Sequence, residues 1–251
     1  GLASNYTLAD TSVTANITPK ALTITGVTAG NKEYDGTRAA VIAGGTLSGL
    51  VGSETVNLGA LSGTFGDKNA GTNKVVTITG GSLSDGGNGG LASNYTVANP
   101  SGVTADISKA NIGGVSNIVA GSKVYDATDT ATVSNAGATF AGMVNGDSLN
   151  VSATSANFID KNAGSGKAVN ASGMTLGGTD AGNYNLTATT GTGTGTITQA
   201  VITGVTGIAA AGKTYDATET ATVSNAGATF AGMFNGDSLN VSATSANFID
   251  K

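Results

Sequence analysis

Apolar and polar residues alternate with a period of two along much of the chain. In ALTITGV (21–27) Leu22 and Ile24 share a face. The same holds for Val103, Ala105 and Ile107 in VTADI (103–107), and for Leu149, Val151 and Ala153 in LNVSATSANF (149–158). A strand turns successive side chains to opposite faces, so each run reads as a half-buried strand. Gly, Asn and Asp separate the runs and mark turns roughly every 8–12 residues. No stretch sustains the 3.6-residue apolar stripe of a helix, and Gly or a β-branched residue interrupts every candidate. The pattern predicts an all-β chain with little or no helix, its strands antiparallel and layered as a sandwich.

The clearest predicted hairpin is TFAGMVNGDSLNVSA (139–153). Asn145-Gly146 suits a type I′ turn, in which both central residues take φ > 0. Asn235-Gly236 repeats it, and LVGSETVNL (50–58) carries Gly-Ser in the same place. The residue before the turn is Val144 in one copy and Phe234 in the other, a change of volume that points to an exposed tip. Aromatic residues are few. The expected core anchors of the second unit are Tyr125, Phe140, Phe158 and Tyr184, with Leu149, Val151 and Leu176.

Independent landmarks repeat at one interval. Tyr34, Tyr125 and Tyr215 are 91 and 90 residues apart, and Ile17, Ile107 and Ile197 are 90 and 90 apart. Asn5-Tyr6, Asn94-Tyr95 and Asn183-Tyr184 follow at 89 and 89. A unit of about 90 residues buries a core of its own, unlike a solenoid coil of about 20–45. The expected organisation is tandem: complete repeats at 21–110 and 111–200, the end of a preceding repeat at 1–20, and the beginning of a following one at 201–251. The partial copies read as a window on a longer array, or as halves completed by a neighbouring chain through strand donation. Residues 131–161 and 221–251 differ only at Val144 and Phe234, so the units look interchangeable.

Composition narrows the function. Only 11% of the 251 residues are charged, with 11 Lys and Arg and a net charge of -5. Nucleic-acid binding draws on clustered cations, and a polybasic membrane patch does too; neither is present. No apolar run reaches the roughly 18–20 residues that span a bilayer. The absence of Cys and His removes disulfides, the usual zinc ligands and the commonest general base near neutral pH. The expectation is no enzyme, no catalytic residue, no cofactor and no metal.

Three constellations remain. KEYDGT (32–37) returns as KVYDAT (123–128) and KTYDAT (213–218). Its Tyr34, Tyr125 and Tyr215 are expected half-buried with bonded hydroxyls. Asp35, Asp126 and Asp216 are expected to close a turn, and the lysines to be solvated. Position 36 is Gly but 127 and 217 are Ala, which argues against a left-handed backbone there. FGDKNAG (65–71) and FIDKNAG (158–164), with FIDK at 248–251, place Phe65 and Phe158 inward and let Asp67 and Asp160 cap the following turn. Calcium lacks the spaced acidic run it needs. A Lys–Asn isopeptide bond has nominal members in Lys123 or Lys161, Asn183, and Asp126 or Asp160. Asn-X-Ser/Thr sequons at Asn5, Asn16, Asn94, Asn150, Asn170, Asn185 and Asn240 are what chance gives in so Asn-, Ser- and Thr-rich a chain.

The K-x-Y-D-G/A-T corner, F-x-D-K-N-A-G, AGNYNL (181–186) and the junction ITPKALTIT (17–25) together resemble the bacterial YDG repeat domain. The related, mostly bacterial immunoglobulin-like repeats are similar too. The resemblance implies tandem immunoglobulin-like sandwiches in very large secreted adhesins of the filamentous-haemagglutinin-like class. It implies an extracellular location at the cell surface and a role in adhesion or biofilm matrix, with no catalytic residues. Tyr34, Asp35, Phe65, Asp67 and Tyr95, and Tyr125, Asp126, Phe158, Asp160 and Tyr184, then read as structural signature, as do Tyr215 and Asp216. The leading function is a stalk whose partners are neighbouring repeats of the same chain. The alternatives are a fibre of identical chains and a module binding a host or matrix glycan or protein.

Overall fold

The structure is a computed structural model that describes every residue except Asn135, Thr189, Thr244, Asp250 and Lys251. It divides into two compact units, 1–109 and 110–251, so residues 201–251 fall in the second with the repeat that precedes them. The chain is almost wholly strand and loop. Among the described residues helical content is confined to three-residue 3₁₀ turns at Ala3–Asn5, Ala92–Asn94 and Ala181–Asn183, each leading into a tyrosine of the Asn-Tyr landmark. Among the described residues no helix is long and apolar enough to cross a membrane.

In the first unit, Lys20–Thr25 buries Leu22 and Ile24 and turns Ala21, Thr23 and Thr25 outward, as the alternation predicts. It pairs antiparallel with Thr46–Ser48 and parallel with Tyr95–Val97. A second sheet has the order Lys32–Glu33, Thr104–Ser108, Gly71–Gly80, Leu61–Phe65, Ala39–Ala40. Its inward positions, Phe65, Val76, Ile78, Ala105 and Ile107, are buried. Leu22, Val56 and Tyr95 form a core cluster with Leu47, Leu50, Leu83 and Val97 packed on it.

In the second unit, Gly114–Ala120 runs parallel beside Thr190–Thr198, and Lys123–Val124 continues along the same strand. Gly164–Ser172 lies on the other side of Thr190–Thr198 and then pairs with Ser155–Phe158. The first and last strands of this repeat are therefore parallel neighbours, and the remainder of the repeat is the long crossover that parallel pairing demands. Residues 201–251 open the same way. Gly204–Thr206 pairs with Thr229–Ala231, and Ala209–Ala210 pairs with Val223–Ser224.

The all-β expectation holds, with two corrections to its detail. Pairing is mixed, because in both units strands from the start and the end of a repeat lie side by side in the same direction. Residues 139–153 do not form a hairpin, since Thr139–Ala141 pairs with Gly114–Ala120 while Asn150–Ser152 pairs with Thr175–Gly177. Only Gly146 of the central pair has positive φ, 92°. The turn, closed by the Asp147 N–H to the Val144 carbonyl at 3.2 Å, is thus of type II rather than I′. Of the expected anchors, Phe158, Tyr184 and Val151 are buried; Tyr125, Phe140, Leu149 and Leu176 are only half-buried. Ile112, Ile118, Ile197 and Val169 supply the rest of the core.

Candidate functional site

Lys32, Asp35 and Thr37 close into a polar ring. The Lys32 ammonium donates to Asp35 Oδ1 (2.8 Å), to the Thr37 carbonyl (2.9 Å) and to Thr37 Oγ1 (3.0 Å). The Thr37 N–H and hydroxyl both donate to the same Asp35 oxygen at 2.8 Å. An ammonium has three protons, and here all three are engaged. Lys123, Asp126 and Thr128 repeat the ring, as do Lys213, Asp216 and Thr218, with distances of 2.7–3.0 Å.

The lysines are not solvated, which corrects the sequence reading. Lys32 and Lys123 are each 18% exposed in their side chains. Lys32 Nζ lies 5.7 Å from the centre of the Phe65 ring and Lys213 Nζ 5.7 Å from that of Phe248. The lysine stem covers the aromatic while its head pairs with the carboxylate.

A second correction concerns the residue between Asp and Thr. Gly36, Ala127 and Ala217 all hold positive φ, at 76°, 65° and 61°. An aspartate accepting the N–H two residues on forms an Asx turn, and the lysine ties down the threonine carbonyl as well. Those bonds outweigh the roughly 1–2 kcal/mol that the left-handed region costs an alanine. Hydrogen bonds from Lys123, and then from the Thr128 N–H and hydroxyl, lower the Asp126 pKa to about 2. Lys213 and Thr218 do the same to Asp216. At Asp35 burial pushes upward, but Lys32 and Thr37 outweigh it and bring the carboxyl to about 2.

The F-x-D-K turn behaves as expected and gains a partner. Asp67 Oδ1 accepts the Asn69 N–H at 2.8 Å, and Asp160 Oδ1 accepts the Asn162 N–H at 2.7 Å. Each also takes a lysine seven residues on, Lys74 at 2.7 Å and Lys167 at 2.6 Å. These bonds hold both carboxyls below the ordinary range, the lysine contributing most. The two motifs meet through backbone. The Phe65 N–H donates to the Arg38 carbonyl, the Phe158 N–H to that of Asp129 and the Phe248 N–H to that of Glu219, at 2.7–2.8 Å. Asp250 and Lys251 of the third copy lie outside the described residues.

Tyr95 and Tyr184 are buried and hold an acidic turn. The Tyr95 hydroxyl donates to Glu54 Oε2 at 2.5 Å and accepts the Val51 N–H at 3.2 Å. The Tyr184 hydroxyl donates to Asp147 Oδ2 at 2.6 Å and accepts the Val144 N–H at 2.9 Å. Its bond to Glu54 raises the Tyr95 pKa.

The three signature tyrosines differ. Tyr34 is 3% exposed, Tyr125 is half-buried and Tyr215 is 77% exposed. Tyr125 donates to Asp237 with both carboxylate oxygens at 2.8 Å, and Lys161 Nζ stands 3.3 Å from Asp237 Oδ1. The Phe234 ring meets Tyr125 edge-on, centroids 5.7 Å apart. Phe234 is exposed, as expected of a tip, but one edge of its ring rests on Tyr125. Tyr125, Phe234 and Asp237 line a cleft of about 510 Å³ with Gln199, Ala200 and Leu239.

Sequence reasoning overlooked Thr37, Lys74, Lys167, Glu54, Asp147 and Asp237, and weighed Lys161 only for an isopeptide bond. The seven-residue spacing from Asp67 to Lys74 and from Asp160 to Lys167 was a usable signal. So was the recurrence of an acid at 54, 147 and 237, disguised by the exchange of Glu for Asp. Asp126 and Asp160 are each 45% exposed, so neither is the buried carboxylate that isopeptide chemistry uses. Among the described residues no three His, Cys, Asp or Glu side chains converge on a common point.

No curated protein and no solved structure matches the chain. The YDG domain family model matches it twice, over residues 18–104 and 109–191, together more than half its length. With the signature corner formed in both matched stretches, the chain belongs to the YDG domain family.

Proposed function

We propose that the chain is a length of spacer in a large bacterial surface or secreted adhesin, its repeats holding a binding tip away from the cell or forming matrix. The carrying observation is the parallel pairing of first and last strands, Val115 with Gly191 through Val124 with Thr198. A chain that enters on one strand and leaves on its parallel neighbour departs from the opposite end of the repeat. One strand length, about nine residues at about 3.3 Å, carries it forward by about 30 Å. An antiparallel pair would return it to the end where it entered.

The signature residues support the same reading. Each lysine–aspartate–threonine ring spends its donors on its own members, as a fixed corner does and a substrate site does not. The chain's work on this reading is mechanical, outside the cell, without catalysis, cofactor or nucleic acid. A glycan-binding module would present an open aromatic face on each repeat, whereas Val144 stands in the preceding copy where Phe234 stands in this one.

The test is small-angle scattering of arrays lengthened by one and two copies of residues 111–200. The spacer reading expects the maximum dimension to grow by about 30 Å per copy. An unchanged dimension with rising mass would overturn it, and concentration-dependent filaments would favour a self-assembling fibre.

A further inference from the structure

We propose that Tyr125 and Lys161 form a carboxylate receptor on the trailing end of a repeat, and that its partner is the acidic turn of the repeat that follows. The partner is visible within the second unit. Asp237 belongs to the Phe234-Asn235-Gly236-Asp237 turn and sits between the Tyr125 hydroxyl and the Lys161 ammonium. The turn is built to present it, with the Asp237 N–H donating back to the Phe234 carbonyl at 3.2 Å. That closure also sets the Phe234 ring edge-on against Tyr125. Edge-to-face aromatic contacts and hydrogen bonds to charged groups are among the stronger small contacts available. Gln199 and Ala200, the last residues of the repeat, line the same cleft, so the receptor lies where one repeat hands over to the next.

The acidic turn has a second occupation. In the complete repeats its carboxylate takes a tyrosine from the far half of its own domain, Tyr95 on Glu54 and Tyr184 on Asp147 Oδ2. A carboxylate offers about four lone-pair sites on two oxygens, so one group has room for both tyrosines. The turn residue thereby joins closure of its own repeat to docking on the preceding one, a nearest-neighbour coupling of the kind that stabilises repeat arrays. The receptor pair is assembled in the first unit too, where Lys68 Nζ lies 5.7 Å from the Tyr34 ring centre, close to the 6.0 Å of Lys161 over Tyr125. Tyr215 carries the third copy of the tyrosine in the open.

Hydrogen exchange on the full chain tests this. Tyr125→Phe removes only the hydroxyl, and Asp237→Asn only the charge. Each is expected to speed exchange of the amides in residues 203–237 about tenfold, leaving those in 164–198 unchanged. The double variant should be no worse than the stronger single, because both changes break one interaction. Phe234→Val should give a smaller increase. Unchanged exchange in both singles, fully additive effects, or equal loss of protection in 164–198 would each overturn the proposal. The scattering dimension reports on the spacer reading and is read separately, so either idea falls without the other.

Discussion

Ala127 holds φ 65° at a place where the first repeat has Gly36 at 76°. An alanine side chain resists that region, and a glycine does not. Ala127→Gly is therefore expected to stabilise the second repeat by about 1 kcal/mol, seen as a higher midpoint of urea unfolding at unchanged slope. Gly36→Ala should lower stability by a similar amount. The aspartate one position earlier adds a pH dependence. The Asp126 carboxyl lies at about 2 in the folded chain, against an ordinary value near 3.9 when unfolded. The folded state thus favours the charged form, a contribution that is whole above about pH 4 and is lost as the pH falls from there toward 2. In Asp126→Asn the acid limb of stability between pH 4 and pH 2 should be shallower than in the parent. An identical limb would show that the ring carries no linkage.

Strand content was readable where alternation was clean, because the period fixes the face whatever the partner. Leu22, Ile24, Ala105 and Ile107 are buried as the pattern requires. Partner and direction were not readable. The glycine run of Thr190–Thr198 shows why. A Cβ at Gly193 would collide with the Ile118 carbonyl, so glycine lets Gly114–Ala120 lie directly alongside. In the first repeat Val103, just before the matching strand Thr104–Ser108, stands where Gly193 does, and that strand takes Lys32–Glu33 as its parallel neighbour. Gly193→Val, which copies the first repeat into the second, is expected to cost about 2–3 kcal/mol, measured by thermal unfolding. A neutral effect would mean that the two strands can part at no cost.

At the scale of the molecule, parallel terminal strands set how the chain bears load. Pulling its ends draws Gly114–Ala120 and Thr190–Thr198 past one another, loading their hydrogen bonds together and not one at a time. Single-molecule stretching should show discrete events at high force, each releasing about 280 Å as about 90 residues at about 3.5 Å replace a folded length of about 30 Å. A low, featureless force plateau would show that the strands unzip.

The sequence by itself determined the all-β class, the 90-residue period and the family. Each is written in local alternation or in recurrence, which need no knowledge of what touches what. It also marked the corner at Lys32, Asp35 and Tyr34 without revealing its state. Tertiary structure decided that the lysine is covered by Phe65, that first and last strands are parallel, and that Tyr125 meets Asp237. These depend on atoms distant along the chain being brought within 3–6 Å, a proximity that no residue's own preference encodes.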